Sequence, residues 1–128
     1  MNMPGVPSVS ASEAAALLVP AGGENATTGQ APLLIDVRER NEFEASRVAG
    51  AVLVPISEFT AREAEIPRDR PLLVMCHMGS RSASATMFLR SRGWTDVRNV
   101  EGGIDAWERA GLPVLHGTPQ PGDGELPG

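Results

Sequence analysis

The apolar positions of the chain fall in short runs separated by Gly, Pro and charge. Residues 33–35 (Leu-Leu-Ile), 52–54 (Val-Leu-Val) and 72–75 (Leu-Leu-Val-Met) are unbroken, and Val97 and Val100 mark a further short run. Unbroken runs of this length are the pattern of strands buried on both faces. Between them lie helical stretches. Ser10-Ala11-Ser12-Glu13 matches a capping box, and residues 14–19 follow as a helix interior that Pro20 and Gly22-Gly23 stop. Residues 39–45 predict one or two helical turns, and Ser57 caps a helix to about Glu65. A longer helix runs from about Ser82, carries Arg90 and Arg92 in its last turn and ends at Gly93. Gly102-Gly103 is a turn, residues 104–110 a last helix, and Gly111 its stop.

Strand and helix alternate, which predicts an α/β fold: a parallel sheet with helices on both faces. Residues 1–9 read as a flexible lead-in, 10–115 as the domain, and 116–128 as a disordered Pro/Gly-rich tail. In such folds the site lies at the carboxyl ends of the strands. Asp36-Val37-Arg38 and Cys76 each follow directly on a strand, so both are expected on one rim.

Composition narrows the chemistry. The chain has 128 residues and a 41% apolar fraction, enough for a single core without staples. A net charge of −5 argues against a non-specific nucleic-acid binder. All eleven basic residues are Arg, which excludes lysine chemistry such as Schiff bases. One cysteine makes neither an internal disulfide nor a Cys-x-x-Cys redox pair, and with two histidines it is a poor zinc set. No metal or cofactor is implied. A lone thiol fits a reducing compartment, and the N-terminus lacks a signal-like or membrane-spanning run. The expectation is a cytoplasmic protein with no membrane partner.

The stretch 71–92 concentrates the chemistry: a strand, the loop Cys76-His77-Met78-Gly79-Ser80-Arg81, then a helix. A loop leading into a helix start gathers N–H groups without intrahelical partners, and their partial positive charge favours an anion or a thiolate. A cysteine there is expected as a nucleophile. Gly79 allows a turn with φ > 0. Ser80 or Ser82 is placed to cap the helix. Arg81 offers a bidentate fork for an oxyanion. The alternative of a buried structural thiol is outweighed by the Gly/Ser/Arg loop that follows. His77 reads either as a pocket wall or as a solvent-exposed side chain, Met78 as a pocket wall, and His116 lies outside the site.

Three segments carry a resemblance: LLIDVRERNEFEASRVAGAVLVP, LLVMCHMGSRS and NVEGGIDAWERAGLPV. Together, in this order, they resemble a single-domain rhodanese, a thiosulfate or persulfide sulfurtransferase. The resemblance implies a three-layer sandwich around a parallel sheet of about five short strands. It implies a small sulfur donor, a Cys76 persulfide held by the loop, and a thiophilic acceptor such as cyanide or a thiol, or an acceptor protein. His77, Met78, Gly79, Ser80 and Arg81 would surround the substrate. Asp36 and Arg38 match the family's Asp-x-Arg; they are expected to brace the rim, with Arg38 near the site and Ser82 beside it. One departure is visible: Arg47-Val48-Ala49-Gly50-Ala51 has Arg where the family commonly has His.

Two other readings use the same residues. A phosphatase or arsenate reductase of the related fold also has Cys and Arg on such a loop, but a longer one; the four residues between Cys76 and Arg81 suit sulfur better than a tetrahedral phosphate. A non-catalytic rhodanese-like binding or sulfur-carrier module typically lacks the cysteine.

Overall fold

The computed structural model describes residues 5–18 and 31–127. Strands β1 (Ser8–Val9), β2 (Leu33–Asp36), β4 (Val52–Leu53), β5 (Leu72–Met75) and β6 (Val97–Val100) form one parallel sheet in the order β1-β6-β5-β2-β4. The helices are α1 (Ala11–Leu18), α2 (Arg40–Ala45), α3 (Ser80–Ser91) and α4 (Gly103–Arg109). Side chains alternate across the pleat, as strand geometry requires. Leu33, Ile35, Leu72 and Val74 face a core closed by Ala85 and Leu89 of α3 with Trp94 and Phe59. Leu34, Leu73 and Met75 face the opposite core, closed by Ala14 of α1, Phe43 of α2, and Ile104 and Trp107 of α4. The predicted three-layer α/β sandwich with a five-stranded parallel sheet is therefore the observed fold.

The capping box is formed: Ser10 N–H donates to Glu13 Oε1 at 2.8 Å, and Glu13 N–H to Ser10 Oγ at 3.0 Å. The later course of that region, from Val19 through the loop to Gln30, lies outside the described residues, as do residues 1–4 and Gly128.

The structure departs from the sequence expectation in three places. Ser8 and Val9, assigned to the lead-in, are a strand beside β6, with Pro7 and Val9 carbonyls accepting from Asn99 and Glu101. The helix expected over 57–65 is a pair of 3₁₀ turns, Ile56–Glu58 and Glu63–Glu65. Within 57–66 only Phe59 and Ile66 are buried, too sparse an apolar face to hold a continuous helix.

The third departure is the tail. Leu115–His116 is a strand, β7, antiparallel to β3 (Ser46–Arg47). Further on, Gly124 O accepts the Leu53 N–H at 2.7 Å, and Leu126 packs on the α3-side core. Strand β4 is a sheet edge, and an edge leaves main-chain groups open. The tail satisfies one of them without needing an apolar periodicity of its own. Arg47 holds it, with Nη1 donating to Gly117 O at 2.6 Å.

Candidate active site

Strand β5 is central in the sheet, and Cys76 follows its last residue. Asp36 ends the adjacent β2 in register with Met75, so both predicted rim segments meet at the carboxyl edge. Gly79 takes φ 110°, the left-handed region open to glycine, and α3 starts at the next residue. This turn brings the Gly79 N–H to the sulfur at 3.1 Å. The Ser82 hydroxyl lies 3.3 Å from the same atom. Neither Ser80 nor Ser82 caps the helix, because no side chain bonds the free amides at its start. Ser82 instead turns inward, fully buried.

The loop is shaped from behind by α4. Ile104 N–H donates to Cys76 O at 2.9 Å, and Asp105 N–H to His77 O at 3.1 Å. These are unpaired amides of a helix start, here spent on two loop carbonyls. The approach is so close that a Cβ on Gly103 would collide with both carbonyl oxygens. Gly102-Gly103, read from sequence as a plain turn, is thus part of the site's frame.

Asp36 and Arg38 are both buried. Arg38 Nη2 donates to Asp36 Oδ2 at 2.7 Å and Nε reaches both carboxylate oxygens at 3.0 and 3.1 Å. The remaining guanidinium donors go to Glu42 O and Ser46 O. The fork therefore ties β2 to both ends of α2. Arg38 also lines a cavity of about 230 Å³ with Glu42, Ser46, His77, Ile104 and Glu108. Cys76 is 1% exposed and lies beneath the loop, whereas His77 and Met78 are exposed.

Arg81 leaves the loop end and meets Glu42 across the rim. Its Nη1 and Nη2 donate to Glu42 Oε1 and Oε2 at 2.8 and 3.0 Å. The guanidinium's hydrogen bonds, helped by the Glu39 N–H, hold the Glu42 carboxyl down to about 2 against partial burial. The carboxylate in turn raises Arg81 above its ordinary value.

Glu42 and Asn99 were not singled out from sequence. Glu42 stands at N3 of α2 and completes a capping box with Glu39, a pattern readable in Glu39-x-x-Glu42. Asn99 is the one side-chain amide of β6, where it sits beside the half-buried Arg98, and it is fully buried. Its Oδ1 lies 2.6 Å from Ser82 Oγ, and its Nδ2 3.4 Å from Gly79 O. A polar side chain at that position needs a partner.

The arrangement can do one kind of chemistry well. It holds a sulfur at the end of a rigid strand, with an amide and a hydroxyl directed at it and fixed cations nearby. Comparison with known proteins places the chain in a family. The rhodanese-like domain family matches residues 20–110. A sulfurtransferase of Allochromatium vinosum is 37% identical over 83 residues, covering 65% of this chain and 78% of that protein. The thiosulfate sulfurtransferase GlpE of Actinobacillus succinogenes is 35% identical over 82 residues, 64% of this chain and 74% of that protein. The crystal structure of a rhodanese-related protein from Thermoplasma volcanium superposes with a TM-score of 0.71 at 32% identity, covering 85% of this chain and 97% of the other. The strand order, the cysteine loop and these matches lead to one assignment: the chain belongs to the rhodanese-like domain family.

Proposed function

We infer that the protein moves a sulfane sulfur from thiosulfate or a persulfide donor to a thiophilic acceptor through a persulfide on Cys76. The observation that carries this reading is the pair of donors on the Cys76 sulfur, the Gly79 amide and the Ser82 hydroxyl. Donors already in place beside the sulfur stabilise negative charge on it, as in an oxyanion hole. Relatives named as thiosulfate sulfurtransferases support it.

The Cys76 thiolate attacks the outer sulfur of thiosulfate. The new S–S bond forms as the bond to the sulfonate sulfur breaks, and sulfite leaves with that electron pair. The persulfide then carries its charge on the outer sulfur, about 2 Å from Sγ. An acceptor such as cyanide attacks the outer sulfur, leaves as thiocyanate, and returns the thiolate. The protein has no second cysteine, so no internal thiol competes for the persulfide. We assign His77, Met78, Gly79, Ser80, Arg81 and Arg38 to the substrate surroundings. Arg81, tied to Glu42, acts as a fixed positive wall. A lone reactive thiol suits a reducing, cytoplasmic setting.

Intact mass after incubation with thiosulfate tests the reading. One added sulfur is expected on the wild type and none on Cys76→Ser. An unmodified wild type, with thiosulfate and with organic persulfides, favours a non-catalytic binding module. Cys76-dependent hydrolysis of an aryl phosphate favours the phosphatase reading.

A further inference from the structure

Ser82 has one hydroxyl proton and three acceptors within reach: Asn99 Oδ1 at 2.6 Å, Gly79 O at 3.2 Å and Cys76 Sγ at 3.3 Å. A serine hydroxyl satisfies one of these at a time as donor. The shortest contact is to Asn99, which is buried in the neighbouring strand and whose amide spans from Ser82 to Gly79 O. Gly79 O already accepts the Ala83 N–H at 3.1 Å, so it competes less for the proton.

We propose that Asn99 is a positioning residue for sulfur transfer: its Oδ1 accepts the Ser82 O–H hydrogen bond when the Cys76 sulfur carries no charge and releases that hydrogen bond to the sulfur when it does. The inference rests on Cys76 being the reacting sulfur. In the thiolate the charge sits on Sγ and draws the Ser82 proton. In the persulfide the charge has moved to the outer sulfur, and Sγ no longer needs a donor. The Ser82 O–H then points back to Asn99 Oδ1, so the buried hydroxyl has an acceptor at either stage. Without Asn99 the hydroxyl is left with Sγ and with Gly79 O, which already accepts the Ala83 N–H, so the balance moves toward Sγ. Over-stabilised thiolates are poorer nucleophiles, so the competition keeps the sulfur reactive.

The test is the pH profile of Cys76 alkylation by iodoacetamide on the full chain. Asn99→Leu keeps side-chain bulk and removes the competing acceptor. Its profile is expected to move to lower pH by about half to one unit, the scale of the one neutral hydrogen bond that the hydroxyl no longer gives up. Ser82→Ala is expected to move the profile to higher pH. On the Ser82→Ala background, Asn99→Leu is expected to move nothing, since its effect passes through the hydroxyl. Asp36, Arg38, Glu42, His77, Arg81, Asp105 and Glu108, the charged and titratable groups around the loop, are the same in every variant. An unmoved Asn99→Leu profile, or an equal shift with and without Ser82, overturns the proposal. If Asn99→Leu does not fold by circular dichroism, Asn99→Ala runs through the same cycle. An unmoved Ser82→Ala profile overturns it unaided. Alkylation needs no sulfur donor, so a protein that never forms a persulfide fails the function proposed above while this test still reads Asn99.

Discussion

Glu42 grips Arg81 with both carboxylate oxygens, at 2.8 and 3.0 Å, and in doing so joins α2 to the first turn of α3 across the mouth of the site. The same Oε1 accepts the Glu39 N–H at 2.9 Å. The carboxylate thus both starts a helix and offsets the charge of the arginine at the end of the Cys76 loop.

Glu42→Gln keeps an acceptor for the Glu39 amide and removes the negative charge. The KM for thiosulfate is expected to fall about two- to fivefold, the scale of one partly exposed ion pair. Steady-state kinetics across a range of ionic strength check it, because the gain should shrink as salt screens Arg81.

The pair also sets an acid limit. Glu42 is held at about 2, below its ordinary 4.5. A depressed carboxyl stabilises the folded state above the unfolded value and loses that contribution as pH falls through the folded one. Urea midpoints should therefore carry a Glu42 contribution that is constant above pH 4.5 and declines between 4.5 and about 2. Glu42→Gln should remove that slope. A variant with an unchanged acid slope would contradict the assignment.

Asp36→Asn leaves the buried Arg38 guanidinium without its counter-charge. Breaking a buried pair from one side costs about 3–5 kcal/mol. Chemical denaturation should show a loss of that size, with persulfide formation falling in parallel because the rim beside the Cys76 loop loses its brace.

Gly103→Ala forces a Cβ against the Cys76 and His77 carbonyls at a residue with φ 59°. A cost of about 1–3 kcal/mol is expected. The more telling readout is the site itself. Alkylation of Cys76 in the folded variant should change in rate, since the carbonyls must move and the loop with them.

Removal of residues 117–128 strips the Gly124 carbonyl from Leu53 and the Gly117 carbonyl from Arg47. The variant is expected to unfold at lower urea concentration and to self-associate through the bared β4 edge. Denaturation and light scattering measure the two effects. An equally stable, monodisperse truncation would show that the tail is dispensable.

Much of this architecture is legible in the residues. Strands β2, β4 and β5 are buried on both faces, so they read as unbroken apolar runs, and the gaps between them leave room for helices. The loop from Cys76 to Arg81 is legible as a turn into a helix through Gly79, which takes φ 110° where α3 begins. What escaped reading depends on distant partners. Strand β1 is two residues long and follows Pro and Gly, and its pairing exists only because β6 lies beside it. The tail binds through glycine carbonyls, which carry no side-chain signal. Asn99 and Gly103 look ordinary in sequence. Their roles appear once β6 and α4 are brought against the cysteine loop.

The hold of α4 on that loop has a consequence for how the protein comes into being. The amides that fix the Cys76 and His77 carbonyls belong to Ile104 and Asp105, far along the chain from the cysteine. During synthesis the thiol leaves the ribosome well before the segment that completes its surroundings. Domains fold as units once their sequence has emerged. The surroundings of Cys76 are therefore completed late, as a property of the finished domain, once α4 has emerged and its amides reach the loop carbonyls.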